Sequence, residues 1–140
     1  MTLFSPWERV LLDELRVARL ATIASDGRPH LVPVCYAVSG ESVVIPVDEK
    51  PKRSVNLARV RNIERDSRVT LLFDRYDDDW SQLAWVRVDG HATVTEAGAD
   101  LPEALAALRA RYAQYEAMAL EERPVIVMAP KRVTSWRWQA

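Results

Sequence analysis

The stretch LATIASDGRPHLVPVCYAVSGESVVIPV, residues 20–47, decides the fold of this chain. Three short apolar runs lie within it, at 20–24, 30–38 and 42–47. The last run is rich in β-branched residues, which favour strands. Asp26-Gly27 separates the first two runs, and Ser39-Gly40 separates the second from the third. Both pairs favour tight turns. The stretch therefore predicts three consecutive antiparallel strands.

Helical patterns and further strands surround this meander. Ser5-Pro6-Trp7-Glu8 has the form of a capping box and predicts a helix from residue 6 to about residue 19. Two more helices are predicted, over 54–60 and from about 100 to 115. The remaining strands are predicted at 68–74, 83–95, 125–129 and 133–138, with a bulge or bend at Gly90. The long crossovers of a parallel sheet are absent, so we expect a mainly β chain with flanking helices that forms one closed or nearly closed antiparallel barrel over residues 1–140.

Composition limits the classes of function. The net charge of -1 over 140 residues gives no general attraction to nucleic acid or acidic lipid. Cys35 is the only cysteine, which excludes an intrachain disulfide framework. No run approaches the roughly 18 apolar residues of a membrane helix, and we expect a soluble, cytoplasmic protein. Any recognition of an anion must come from a local cluster of basic residues.

Such a cluster lies between residues 50 and 68. It consists of Lys50, Lys52, Arg53, Arg59, Arg61, Arg65 and Arg68. Lys52 and Arg53 stand at or just before the first turn of the helix predicted over 54–60. Unpaired N–H groups and the helix dipole favour an anion at such a position. The pattern predicts a phosphate site, and the alternative is a solvated helix face.

Other chemistries have less support. The acidic run at 77–79 lacks the spacing of a calcium loop. His30 and His91 are the only histidines and have no evident partners for a metal site or for nucleophilic catalysis. We therefore predict no metal site and no catalytic acid, base or nucleophile. The basic segment has no interleaved aromatic residues, which argues against a nucleic-acid-binding barrel.

An ordered set of short motifs carries a resemblance to a known family. The motifs are DGRPH at 26–30, VPV at 32–34, VDEKPKR at 47–53, Leu57, NI at 62–63, DRY at 74–76, DW at 79–80 and WVR at 85–87. In this order they resemble the pyridoxamine-phosphate-oxidase-like split barrels. Within that superfamily they most resemble the actinobacterial branch associated with the deazaflavin coenzyme F420. The likeness covers nearly the whole chain.

The resemblance implies a homodimer with two cofactor sites at the subunit interface. It implies that the ring of the cofactor is flanked by Pro33, Val34, Val47 and Asp48. It also implies that the phosphate is held by Lys50, Lys52 and Arg53. The spacing to Leu57 leaves open whether Lys52 or Arg53 makes the closest contact.

The resemblance also bears on which cofactor binds. F420 carries an anionic lactyl-oligoglutamate tail that FMN lacks, and the arginines beyond those that one phosphate needs favour F420 over FMN. These arginines are Arg59, Arg61 and Arg65, with Arg28 and Arg87 on the same rim; for each one singly, a surface role is the alternative.

Three more residues are candidates for contact with the ligands. Trp80 could close over the cofactor or pack in an interface. His30 could contact cofactor or substrate because it begins a strand near the expected ring. Tyr36 could donate a proton to the substrate, and its alternative is a core position.

Together these expectations describe an F420-dependent oxidoreductase that transfers hydride to a small unsaturated or quinone-like substrate. The missing catalytic motif agrees with this, because the cofactor carries the reactive atom. One alternative is an FMN-dependent oxidase or reductase of the same fold. The other is a protein that binds or sequesters its cofactor without turnover.

Overall fold

The computed structural model of the chain describes residues 3–47 and 57–140. Asp48, Lys50, Lys52 and Arg53 lie outside the described residues. The helices are α1 (Pro6–Glu14), α2 (Ala58–Arg65) and α3 (Pro102–Arg111). The strands are β1 (Ala18–Ile23), β2 (Pro29–Val34), β3 (Ala37–Ser39), β4 (Ser42–Pro46), β5 (Arg68–Arg75), β6 (Ala84–Thr95) and β7 (Val125–Arg137).

All seven strands form one sheet in the order β2-β1-β5-β6-β7-β4-β3. Every pairing between neighbouring strands is antiparallel, as the sequence predicted. The turns expected at Gly27 and Gly40 are present, and both glycines have the positive φ that such turns require. Among the described residues, no helix is long and apolar enough to cross a membrane.

The first helix is shorter than the sequence indicated. The side chain of Glu8 accepts a hydrogen bond of 2.7 Å from the Ser5 N–H, which is one half of the expected capping box. The helix ends at Glu14 instead of near residue 19. From Ala18 onward the chain is a strand in which Ala18 and Leu20 are fully buried. Burial in the sheet thus overrides the helical spacing of these residues.

The strand predicted over 30–38 is two strands, because the backbone at Tyr36 leaves the sheet. The Tyr36 N–H donates to the Tyr112 hydroxyl at 3.1 Å. The Tyr36 carbonyl accepts from Arg111 Nε at 2.9 Å. Side chains at the end of α3 therefore replace the ladder hydrogen bonds that a continuous strand would have made, so no buried backbone group at Tyr36 is left unpaired.

The two final strands of the sequence prediction are one strand, β7, which passes through Pro130 without ending. Its register against β6 shifts between Asp89 and Gly90, and this confirms the bulge predicted there. A Cβ added at Gly90 would lie 2.2 Å from the Ala129 carbonyl oxygen. The close approach of the two backbones therefore requires glycine at this position.

The two later helices also differ from their predicted bounds. α2 begins at Ala58 instead of at residue 54, and α3 ends at Arg111 instead of near residue 115. A short 3-10 helix, Ala113–Ala117, follows α3. Arg109 holds this segment, since its side chain donates to the Tyr115 carbonyl at 3.0 Å and to the Met118 carbonyl at 2.7 Å.

The hydrophobic core has two parts. The larger part is enclosed by the sheet and α1, and fully buried residues in it include Leu12, Leu20, Leu71, Phe73, Val86 and Ile126. The second part packs α3 against β3 and β4, with Leu108 at its centre. Each large apolar side chain buried in this way stabilises the fold by about 1.5–3 kcal/mol. Side chains that alternate with the buried ones point outward and are available for function.

Candidate functional site

One outward-facing row of side chains crosses four neighbouring strands. Pro33 of β2 lies opposite Arg19 of β1, and Arg19 lies opposite Leu72 of β5. Leu72 in turn lies opposite Arg87 of β6. Because neighbouring strands are about 4.8 Å apart, the row is about 14 Å long. The fold therefore brings Pro33 and Arg87, which were both predicted to bind the cofactor, onto one surface.

Arg87 has its guanidinium partly available for a ligand. Its guanidinium carbon lies 5.7 Å from the centre of the Trp85 ring. Its Nε is 3.9 Å from Asp89 Oδ2, and its side chain is 46% exposed. Such a long, half-exposed ion pair contributes little to stability. Arg87 can therefore turn donors toward an anion or a carbonyl oxygen above the row.

Asp89 is held as an anion beside Arg87. The Thr70 hydroxyl donates to Asp89 Oδ1 at 2.7 Å, and Arg132 Nη2 lies 3.3 Å from Oδ2. The hydrogen bond from Thr70, with the further bond and charge of Arg132, lowers the pKa of Asp89. This carboxylate consequently shares its charge between two arginines on the outward face.

Trp80 lies at the end of the sheet where β5 passes into β6. It begins a short 3-10 helix, Trp80–Gln82, and Asp79 caps this helix by accepting from the Ser81 N–H at 3.1 Å. The Trp80 side chain is 65% exposed. Most of this aromatic side chain is therefore not packed against other described residues. This position fits both roles predicted for Trp80, contact with the cofactor and packing in an interface.

Val34 and Val47, two of the residues expected to flank the ring, have side chains in the core. Val34 is 6% exposed, and Val47 is fully buried. Both belong to the larger core cluster. These side chains therefore make no contact with a ligand on the outward face, and only their backbone could do so. Their place beside the ring of a cofactor stays a prediction, and it would be their backbone that lies there.

The arginines of α2 are not equivalent. Arg59 is largely buried, with 8% exposure. Arg65 donates to the Ile23 carbonyl at 2.9 Å and to Asn62 Oδ1 at 3.0 Å, so it ties α2 to β1. Arg61 is exposed. α2 begins at Ala58, with Leu57 as its N-cap. Lys52 and Arg53 precede the described part of this segment, so the phosphate site expected there stays a prediction.

Tyr36 lies in the core and not at a surface. It is fully buried, its ring packs edge-on against Phe73 with centroids 4.8 Å apart, and its hydroxyl donates to the Leu12 carbonyl at 2.6 Å. Burial raises the pKa of the Tyr36 hydroxyl. This placement does not fit the proposed proton donation to a substrate, and it matches the alternative of a core tyrosine.

His30 is half-buried and lies opposite Thr22 in the register of β1 and β2. Its Nδ1 atom is buried and has no hydrogen-bond partner among the described residues. Thr22 itself accepts a hydrogen bond from the Asn62 amide at 3.0 Å. His30 is thus on the same side of the sheet as α2 and not in the outward row with Pro33.

Sequence reasoning missed several members of this surface. Arg19 and Leu72 sit between Pro33 and Arg87 in the row, and Arg19 pairs with Asp74 at 3.1 Å. Their strands showed the alternation of buried and exposed positions, but the order of strands in the sheet was not available from the sequence. Within residues 3–47 and 57–140, no three His, Cys, Asp or Glu side chains are grouped as a metal site.

The fold and this surface define an antiparallel split barrel with a candidate ligand surface on its outward face. The chain belongs to the pyridoxamine 5'-phosphate oxidase family, whose profile matches residues 8–137. The split-barrel class predicted from the sequence is confirmed.

Several solved structures have a similar fold. A conserved hypothetical protein from Mycobacterium tuberculosis is 24% identical, with a TM-score of 0.77 over 96% of this chain and 85% of its own. A heme binding protein from Mycobacterium smegmatis is 24% identical, with a TM-score of 0.73 over 91% of this chain. This chain spans only 51% of that protein.

Two further structures have FAD or F420 in their names. A FAD-binding protein from Mesorhizobium loti is 24% identical, with a TM-score of 0.68 over 94% of each chain. An F420 reductase is 19% identical, with a TM-score of 0.65 over 90% of this chain and 94% of its own. At these identities the likeness shows the fold alone.

Proposed function

We propose that this protein is an F420-dependent oxidoreductase that transfers a hydride to a small unsaturated or quinone-like substrate. The observation that carries the proposal is the outward row from Pro33 to Arg87 in a chain of this family. The row places two apolar residues, Pro33 and Leu72, on either side of Arg19 and next to the donors of Arg87. Similarity in fold to an F420 reductase supports the same conclusion.

The residues of the row fit a flat, partly anionic cofactor. Reduced F420, when bound, would supply a hydride, which is one proton together with two electrons, to an acceptor. Pro33 and Leu72 would pack against one face of a ring and keep water from it. Arg87 would hydrogen-bond to a carbonyl oxygen or an anionic group at its edge. Lys50, Lys52 and Arg53 are proposed to hold the phosphate, and Asp48 to lie beside the ring.

The preference for F420 over FMN rests on positive charge beyond the phosphate site. Arg61 and Arg87 are exposed, and Arg28 has a side chain that is 77% exposed beside Asp26. Arg59 and Arg65 contribute less than the sequence suggested, because one is largely buried and the other binds the backbone of β1. FMN is the alternative, and similarity in fold to a FAD-binding protein favours it.

We further propose that the protein is a homodimer that buries the part of the outward face around Trp80, Trp136 and the row of Arg87. Trp80 is 65% exposed, and Trp136 is 44% exposed. Trp136 lies opposite Trp85, next to the row that contains Arg87. Exposed aromatic and apolar side chains together with arginines are typical of the centre of an interface. Light scattering after gel filtration should give a mass of twice 15.9 kDa.

The function is tested by turnover. Purified protein would be mixed without oxygen with reduced F420 and a panel of quinones and enones, and the return of the oxidised F420 absorbance would be followed. We expect oxidation of F420 that depends on both the protein and an acceptor. If FMN binds and F420 does not, the protein is the FMN-dependent alternative.

A non-catalytic binding protein is the second candidate. Similarity in fold to a heme binding protein favours this candidate. Tight binding of F420 or FMN with no reduction of any acceptor would support this candidate over the enzyme. Heme binding would be followed by the Soret absorbance of heme. Tight binding of heme, with no binding of F420 or FMN, would contradict the proposed oxidoreductase.

A further inference from the structure

A second depression lies on the outward face, between the row of Arg87 and the turn that joins β1 to β2. It has a volume of about 780 Å³. Ala21 of β1 lies opposite Thr70 of β5, and Thr70 lies opposite Asp89 of β6. The two small side chains, Ala21 and Thr70, stand between Leu31 on one flank and Arg132 on the other. The depression exists because small residues are aligned across these strands.

Cationic side chains line the depression on two sides. Arg68 lies on β5, and Lys131 and Arg132 lie on β7. Lys131 stands at the bulge, where β7 has one residue more than β6 between Asp89 and Gly90. The bulge therefore adds a positive charge to this edge without a residue opposite it in the ladder.

The carboxylates near these cations pair with the cations themselves. Asp89 accepts a hydrogen bond from Thr70 and is shared by Arg87 and Arg132. Asp66 pairs with Arg68 at 2.7 Å and leaves the Arg68 side chain 69% exposed. Arg132 is 73% exposed at a distance of 3.3 Å from Asp89. The long, exposed pair of Arg132 is weak, so a ligand anion can bind this guanidinium group at little cost, whereas Asp66 holds Arg68 through two side-chain hydrogen bonds.

The rest of the lining is suited to an apolar body. Ala21, Ile23 and Pro29 contribute to it. His91 lies at its edge, with Nδ1 at 2.9 Å from the Ser67 hydroxyl. A volume of several hundred Å³ with an apolar floor and a few polar groups is the usual form of a small-molecule site.

We propose that this depression binds a small organic anion that has a flat apolar body and a carboxylate or phosphate group. The apolar body lies on Ala21 and Thr70, and the anionic group binds Arg132 and Lys131, with Arg68 across the depression. Pro33, Trp80 and Arg87, which were assigned to the cofactor, do not line it. The site is thus separate from the proposed cofactor site, and the inference does not rest on the proposed function.

The test uses 1-naphthyl phosphate and 1-naphthoate as probes, with 1-naphthalenemethanol as the neutral counterpart and inorganic phosphate as the anion alone. Binding would be followed by amide shifts in two-dimensional NMR spectra and by calorimetry. We expect at least one naphthyl anion to bind and to shift the amides of Thr70 and Asp89. Comparison of the two anions shows whether phosphate or carboxylate is preferred. The neutral alcohol and inorganic phosphate should bind at least tenfold more weakly.

Variants separate the charged edge from the apolar floor. Arg132→Gln and Lys131→Gln should each weaken binding of the better probe roughly three- to tenfold, and Ala21→Leu should abolish it by filling the floor. Arg9→Gln is the matched control, because Arg9 is an exposed arginine on α1 that pairs with Asp13 and lies outside the depression. It should leave the affinity unchanged.

Three results would overturn the inference. The first is that neither naphthyl anion shifts any amide near the depression at millimolar concentration. The second is that Ala21→Leu and Arg132→Gln, shown to be folded by circular dichroism, bind the probes as the wild type does. The third is that Arg132→Gln and Ala21→Leu abolish the binding of FMN or F420, which would assign the depression to the cofactor. Failure to bind FMN and F420, with naphthyl binding intact, would count against the proposed function alone.

Discussion

Replacement of Tyr36 by phenylalanine should lower stability and leave ligand binding unchanged. The side chain is fully buried, and its hydroxyl donates to the Leu12 carbonyl at 2.6 Å and to the Leu15 carbonyl at 3.1 Å. Arg111 also donates to the Leu15 carbonyl. The variant therefore removes the hydrogen bond to Leu12, near the end of α1, while Leu15 keeps a donor.

The expected magnitude follows from the loss of one buried hydrogen bond. An acceptor left unsatisfied in the interior costs about 1–3 kcal/mol, and we take about 2 kcal/mol. The unfolding entropy is about 2.1 cal/mol/K per residue, which for 140 residues is about 0.29 kcal/mol/K. A loss of about 2 kcal/mol then lowers Tm by about 7 °C.

The assay is thermal unfolding of Tyr36→Phe followed by circular dichroism, with ligand titrations on the same preparations. Tyr76→Phe is the control, because Tyr76 is 70% exposed and the same hydroxyl is removed from the surface. It should change Tm by less than about 1 °C. An unchanged Tm for Tyr36→Phe would refute this placement of Tyr36, whether or not turnover is also impaired.

Four further outcomes are expected. Gly90→Ala should lower Tm by about 7 °C or more, because the new Cβ would lie 2.2 Å from the Ala129 carbonyl oxygen; a Tm within 2 °C of the wild type would contradict the close approach. Arg109→Ala should speed amide hydrogen exchange over residues 113–122, because two carbonyls there lose their donor; unchanged exchange would be contrary to this role. Stability should fall as pH drops below about 4, because the pKa of Asp89 is lowered in the folded state and the unfolded carboxyl takes up its proton first; Asp89→Asn should flatten this acid limb, and an identical limb would argue against it. Stability should also fall as pH rises above about 10, because burial raises the pKa of Tyr36 in the folded state and the unfolded phenol ionises first; Tyr36→Phe should reduce that loss, and an equal loss would not fit.

Local patterns in the sequence predicted most of the strands. Asp26-Gly27, Ser39-Gly40 and Gly90 have turn or bulge chemistry that depends on the residue itself and on its immediate neighbours, and each is found where it was expected. The alternation of apolar residues in β6 likewise gave its buried and outward faces. These features could be predicted because a period of two and a requirement for glycine are encoded locally.

The boundaries that were wrong depend on contacts between distant residues. The break at Tyr36 exists because Arg111 and Tyr112, about 75 residues later, bind its backbone. The union of two predicted strands in β7 depends on its pairing with β6.

The candidate site was predicted only in part, because its arrangement also depends on which distant strands become neighbours. Pro33 and Arg87 were named from motifs, and the register of the sheet then placed both on the outward face. Arg19 and Leu72 were missed because only the strand order shows that they lie between them. Val34 was assigned to the ring although its place in the alternation of β2 is the buried face.

Titration of the protein with F420 and with FMN tests the central claim most directly. It would be carried out by fluorescence on the wild type, Arg87→Gln, Lys52→Ala and Arg53→Ala, with Arg9→Gln as the control. Loss of a charged contact with the cofactor costs about 2 kcal/mol, which is roughly a 30-fold increase in Kd. We predict that F420 binds more tightly than FMN, and that Arg87→Gln and at least one of Lys52→Ala and Arg53→Ala show this loss. Wild-type affinity in all three variants, or no binding of either cofactor, would contradict the account.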